Sequence, residues 1–260
     1  MAAELASLRA EIDVVEHAGT RSPAAVYADA PDAALAGLST EARGAVGHIT
    51  GSAMSVQALR VHGGEEKADA VAAIALAAHH GGHRVLALPA SAAATARAAE
   101  RRYAHATADC AAAIANMESG RWAPPPGSLL IIDDADQLDA DQIRWLVANA
   151  GATNTQLLLI TNDATPAGVN RALTDALADT LPWSARLGAT GRDTSASVLA
   201  RAGRYLDAAD DLPDTAAHRD AEELLARRDA LAERYRDLAT PVWARAAQVA
   251  NPSTDRGLSL

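Results

Sequence analysis

Phenylalanine is absent from this 260-residue sequence, aromatic residues total 3%, and there is a single cysteine, Cys110. One cysteine excludes an internal disulfide framework and any zinc site built from several thiolates. No apolar run reaches the roughly 18–20 residues of a membrane span, and the first residues carry acids with no apolar stretch leading to a cleavage site, so no secretory signal is read. A soluble cytoplasmic protein with no membrane partner is expected. Basic residues are in the minority, 23 against 33 acidic, for a formal net charge of −10. That balance does not support a surface that grips nucleic acid over its whole extent. What the sequence has in quantity is alanine: hydrophobic residues reach 49% despite the missing aromatics. Alanine favours helix but buries little area, so a helix-rich protein with a thin core is expected, resting on a few Leu, Ile and Val segments.

Those segments are placed with a regular rhythm. Ala3–His17 carries Leu5, Leu8, Ile12 and Val15 at helical spacing. Ser22-Pro23 reads as a helix cap with proline in the first turn, and Ser39 as the cap of a helix over Thr40–Ile49 that Gly51-Ser52 ends. Val56–Val61 reads as a strand, His62-Gly63-Gly64 as a turn, Glu65–His79 as a helix and Arg84–Leu88 as a second strand. Helices are expected near Ala92–Arg102, Thr107–Ser119, Asp139–Ala150 and Val169–Ala178. Ser128–Ile132 and Gln156–Ile160 are continuous apolar runs of the kind found in sheets covered on both faces. The alternation predicts a three-layer α/β fold with a parallel sheet. Beyond Pro182 no strand is read. Helices are expected over Thr194–Ala208, Thr215–Leu238 and Thr240–Val249, with an acidic connector at 207–214.

The most informative segment is Leu129-Leu-Ile-Ile-Asp133-Asp134-Ala135-Asp136. Buried strand residues deliver two carboxylates to the strand's C-terminal end, the edge at which open α/β sheets bind ligands. In P-loop NTPases the first acid at this place holds Mg²⁺ and the second acts on the attacking water. That reading makes Asp133 the metal residue and Asp134 the catalytic one, the latter a methylene shorter than the usual glutamate. A plain aspartate at a helix start is the alternative. Leu38-Ser-Thr-Glu-Ala-Arg-Gly-Ala-Val46, the strand–turn–helix at Val56–His79, Val85-Leu-Ala-Leu-Pro-Ala-Ser91, the Asp133 strand, Leu157-Leu-Leu-Ile-Thr-Asn162 and Leu181-Pro-Trp-Ser-Ala-Arg-Leu-Gly188 follow in an order that resembles the first motor domain of superfamily 1 helicases of the RecD type, including the helicase part of conjugative relaxases. The resemblance implies a RecA-like P-loop NTPase domain over 38–188, flanked by an N-terminal helical segment, 1–37, and a helical C-terminal extension, 189–260. It implies ATP with Mg²⁺ as cofactor, and it puts Gly63, Gly64, Lys67, Ala68 and Asn162 at the nucleotide.

The departures from that pattern are chemical. Ala42 stands where the family has a glutamine that reads adenine. Aligned on Lys67, the phosphate loop has Val61 and Glu66 for its glycines and Ala68 for the Ser/Thr that ligates Mg²⁺. Glu65 and Glu66 put negative charge beside the cradle. A like-charge contact at 4 Å costs about 4 kcal/mol at an effective dielectric of 20, or ~10³ in affinity. Binding of ATP is therefore expected to be weak or absent, and hydrolysis inefficient or absent. Asn162 reads either as a phosphate sensor or as a simple turn residue. The C-terminal extension is too short for a second sheet domain. Its leucines Leu224, Leu225, Leu231 and Leu238 are read as a docking side for a protein partner or a second copy. A non-hydrolysing module linked to DNA processing is the leading reading. A weak ATPase completed by a partner and a purely structural interaction protein are the alternatives. His79, His80 and His83 read as helix-end residues rather than a metal set, Cys110 as a buried structural thiol, and the four tryptophans as too scattered for a base-stacking platform.

Overall fold

In the computed structural model, which describes residues 2–21, 30–62, 65–101, 103–162, 171–188 and 215–239, six strands pair in parallel in one sheet. The Ser22-Pro23 cap, the helices expected at Thr194–Ala208 and Thr240–Val249 and the acidic run at 207–214 lie outside the described residues. In chain order come α1 (Ala2–Ala18), α2 (Asp32–Leu35), α3 (Thr40–Thr50), β1 (Val56–Val61), α4 (Glu65–His80), β2 (Val85–Ala87), α5 (Ala92–Arg101), β3 (Ala106–Thr107), α6 (Cys110–Glu118), β4 (Leu129–Asp133), a 3-10 turn at Ala135–Gln137, α7 (Ala140–Ala152), β5 (Gln156–Asn162), α8 (Arg171–Thr180), β6 (Ala185–Leu187) and α9 (Thr215–Ala239). The sheet order is β3-β2-β4-β5-β1-β6. The chain therefore leaves β1, crosses over α4, and lands beyond the places that β4 and β5 later fill. This is the three-layer α/β architecture of a RecA-like P-loop domain.

Alternation along the strands divides the core. Val56, Ala58, Leu130, Ile132, Leu157 and Leu159 face one layer, with α1, α6, α7, α8 and α9. Leu59, Val61, Leu129, Ile131, Leu158 and Ile160 face the other, with α3 and α4. In α4 the residues Ala70, Ala73, Ala75, Ala77 and Ala78 are all buried. Their small size lets the helix lie close against the sheet, which is how an alanine-rich chain fills a layer without bulky side chains.

Two short strands correct the sequence reading. Thr107 belongs to β3, not to a helix; that helix begins at Cys110, where the Asp109 carboxylate accepts the amide of Ala112 at 2.8 Å. And a strand does follow Pro182: β6 pairs Leu59 with Ala185 and Val61 with Leu187. Edge strands of two and three residues are too brief for alternation to show, and β6 carries Arg186, whose charge is held by Asp179. Directly after β6, Gly188 adopts φ +70, and a side chain there would run into the His62 carbonyl. That close approach fixes the start of the β1–α4 turn against the end of β6, where the His62 amide donates to the Leu187 carbonyl at 2.7 Å.

An aromatic contact ties α9 to the segment between α8 and β6. Trp183 is buried and donates its Nε1–H to the Val56 carbonyl at 2.8 Å. Tyr235 of α9 packs on it with ring centroids 5.2 Å apart and reaches the carbonyls of Val15 and Glu16 at 2.8 and 3.0 Å. Gly19 leaves room for the ring, since a Cβ there would collide with it. Leu225 and Leu231 are buried in the same cluster as Leu8, Ile12 and Val15 of α1. These two leucines of the expected docking side are covered within the chain, where α1 offers them an apolar stripe. The side chain of Leu238 lies outside the described residues.

Candidate functional site

Strand β4 is buried along its whole length and ends in Asp133. The next residue, Asp134, bends the chain in the left-handed region, φ 58 and ψ 46, a conformation that costs an L-residue roughly 1–2 kcal/mol and that short polar side chains tolerate best. The turn is held by the Asp134 amide donating to Asp133 Oδ1 at 2.9 Å. A capping box between Asp139 and Gln142 then starts α7. Sequence and turn together leave two adjacent carboxylates at the C-terminal edge of the sheet, their side chains 8% and 3% exposed.

Two cations close on them. Lys67, near the start of α4, contacts Asp133 Oδ1 and lies 3.5 Å from Asp134 Oδ1. Arg97, from α5, brings Nη2 to 3.0 Å from Asp133 Oδ2 and 2.8 Å from Asp134 Oδ2, and its Nε–H donates to Asp133 Oδ2 at 3.1 Å. Ser91 donates to Asp134 Oδ2 at 2.6 Å while accepting the amide of Ala94, so one hydroxyl both caps α5 and holds the acid. Tyr103 stands nearby; burial and then the Asp133 charge push its hydroxyl up to about 12, against an opposing effect of Arg97. The two acids and two bases leave the cluster neutral.

Burial alone would raise the Asp134 pKa, but the hydrogen bonds from Ser91 and Arg97 and the charges of Lys67 and Arg97 outweigh it, and the net shift is downward. A carboxylate with a depressed folded-state pKa stabilises fully above its unfolded value, near 3.8, and loses that contribution as pH falls through the folded value. Asp134→Asn is therefore expected to be less stable than the parent at neutral pH, with the gap narrowing below about pH 4. Melting temperatures of the two proteins between pH 3 and 7 check this; a gap that stays constant with pH contradicts it.

Of the residues singled out from sequence, the fold brings Lys67, Asp133 and Asp134 into contact. Asn162 is buried at the tip of β5, paired in register with Val61, where the β1–α4 turn begins. Ala68 is half-buried on α4 and offers a methyl group where a hydroxyl would ligate metal. Gly63, Gly64 and the Glu65 side chain lie outside the described residues. Ala42 is fully buried among apolar neighbours in the layer with α3 and α4. The Glu66 carboxylate accepts from the Ser39 hydroxyl at 2.8 Å and the Ser39 amide at 3.3 Å, tying the start of α4 to the cap of α3. Sequence reasoning missed Ser91, Arg97 and Tyr103 as site residues. The one available signal was Arg97 itself, a charge set between the buried residues Ala94 and Ala98 of an alanine-rich helix.

The other candidates have structural employment. His79 bonds the Tyr103 carbonyl at 2.9 Å and packs on the His105 ring at 4.1 Å, while His83 bonds the Gly127 carbonyl at 2.9 Å. Among the described residues no group of three or more His, Cys, Asp or Glu side chains converges on a metal position. Cys110 is buried, and burial followed by the Asp109 charge pushes its thiol up to about 12, far from a reactive thiolate.

As they stand, the residues present do not suit a divalent metal. Lys67 is a buried ammonium at the head of a helix, and its Nζ has ion-pair contacts but no hydrogen bond. Both Oδ2 atoms that would face a divalent ion are held by Arg97. A family model described as an AAA domain matches residues 37–227, close to three quarters of the chain. No curated protein matches it.

Proposed function

The chain belongs to this AAA domain family of P-loop NTPases, which is found in RecD-like helicases and generally binds nucleotide with Mg²⁺; from that premise we propose that it is a non-hydrolysing member, a binding or scaffold module with a lapsed phosphate loop, in the service of DNA processing. The observation that carries the reading is the state of the acidic pair: Asp133 and Asp134 are neutralised by Lys67 and Arg97, and the α4 position that would add a metal-ligating hydroxyl is Ala68. The missing adenine-reading side chain at Ala42 supports it. Lost hydrogen bonds of this kind cost about 1–3 kcal/mol each. Two or three of them bridge the roughly 4 kcal/mol between micromolar and millimolar binding.

The placement of Lys67 against both carboxylates favours one second reading, a weak ATPase that a partner protein completes. Calorimetric titration of the full chain with ATP and ADP, in Mg²⁺ and in EDTA, separates the two. The expected dissociation constant is in the millimolar range or weaker, with phosphate release no faster than that of Asp134→Asn. Micromolar binding with Mg²⁺-dependent turnover overturns the non-hydrolysing reading. No described helix is long and apolar enough to cross a membrane.

A further inference from the structure

We propose that Arg97 is a built-in substitute for a divalent cation: its guanidinium closes the Asp133–Asp134 pair and excludes the metal that the family generally binds with its nucleotide. The inference rests on the proposed function for its biological meaning but on separate observations for its chemistry. Two carboxylate oxygens from neighbouring residues, Asp133 Oδ2 and Asp134 Oδ2, converge on one nitrogen, Arg97 Nη2, at 3.0 and 2.8 Å. Magnesium asks its oxygen ligands to stand at about 2.1 Å. Each oxygen would need to move by less than about 1 Å to ligate an ion in the place of that nitrogen. The pair is thus arranged as a metal position, and a tethered cation sits in it.

Three features hold the arginine there. Its Nε–H donates to Asp133 Oδ2 beside the ion-pair contacts of Nη2 with both acids, a planar fork of two nitrogens that a single ammonium does not offer. Ser91 fixes Asp134 Oδ2 from the other side. The Arg97 side chain is 32% exposed while the acids beneath it are 8% and 3% exposed, so it covers them from the solvent side. Charge completes the argument. With Lys67 the cluster sums to zero, and a divalent ion added to it would leave two positive charges in excess in a partly buried place. Removal of Arg97 leaves a net negative charge and takes the cation from both Oδ2 atoms, Asp134 Oδ2 keeping its bond from Ser91.

Titration of the full chain with Mn²⁺ alone, followed by the EPR signal of the free ion, tests this without nucleotide. The parent protein is expected to show no saturable binding that Asp133→Asn abolishes. Arg97→Met is expected to gain at least tenfold in Mn²⁺ affinity, about 1.4 kcal/mol, and Arg97→Met with Asp133→Asn to lose that gain. Arg97→Lys keeps a tethered charge and is expected to stay closer to the parent. Mn²⁺ should also raise the melting temperature of Arg97→Met and leave the parent unmoved. Tight Asp133-dependent Mn²⁺ binding by the parent overturns the proposal, whatever the variants do, and so does a folded Arg97→Met with no gain. Arg97→Gln, which keeps a polar side chain, takes its place if the methionine variant does not fold. ATP titration in EDTA tests the nucleotide reading on its own, so failure of one is not failure of the other.

Discussion

A chain cut before Thr215 is expected to lose its native fold and aggregate. Helix α9 contributes Leu225, Leu231 and Tyr235 to the same apolar cluster as the sheet, and Tyr235 is 1% exposed against Trp183 and α1. Removing a buried aromatic costs about 3–5 kcal/mol and a buried leucine about 2–5. Three such losses, even when far from additive, approach the 5–15 kcal/mol that holds an ordinary domain together. Deletion also uncovers Val15 and the Trp183 ring, an adhesive surface for other copies. The sequence alone predicts the opposite, a folded sheet domain stripped only of a docking helix. Circular dichroism and size-exclusion chromatography of residues 1–214 decide between them: a folded, monomeric fragment would show that α9 is dispensable to the core. Tyr235→Phe keeps the ring and loses a single O–H donor shared between the Val15 and Glu16 carbonyls, so it should cost only about 0.5–1.5 kcal/mol and leave the fold intact.

What the sequence revealed and what it hid follow from the range of the interactions involved. Strand β4 is legible because four apolar residues in a row and a terminal acid form one local signal, and the strand expected at Val56–Val61 has the observed ends of β1. Helix α9 was also read nearly to its ends, yet its partner was not, because an amphipathic stripe does not state what covers it. Glu66 shows the same limit for charge. Its sequence position puts it beside the expected cradle, while its side chain reaches Ser39, 27 residues away along the chain. Arg97 was hidden for a further reason. Its partners are 36 and 37 residues away, on a strand that is not adjacent in sequence, and a charged residue on a helix ordinarily faces water. The site's acids could be read locally; the cations that neutralise them depend on the crossover of α4 and α5.

Lys67→Met is expected to destabilise the protein by about 3–5 kcal/mol, because removing one member of a buried ion pair strands the other. Lys67 is 4% exposed, and its loss leaves Asp133 Oδ1 and Asp134 Oδ1 without their cation while Arg97 stays engaged with the Oδ2 atoms. One guanidinium cannot neutralise two carboxylates. Adding Asp133→Asn to Lys67→Met removes the surplus charge, so the double variant should be more stable than Lys67→Met alone. That recovery, added to the cost of Asp133→Asn alone, gives the coupling energy of the pair, read by urea denaturation of the four proteins of the cycle. The cost of Lys67→Met should also shrink in acid, where protonation of a carboxylate does what Asp133→Asn does. A lysine kept only to meet nucleotide phosphate makes a different prediction: Lys67→Met would then be neutral or stabilising in the free protein, as when a solvated ligand-binding cation is replaced by a hydrocarbon of similar length. A loss near 4 kcal/mol that Asp133→Asn restores in part would instead show that Lys67, whatever else it binds, is the counter-ion on which the acidic pair depends for its burial.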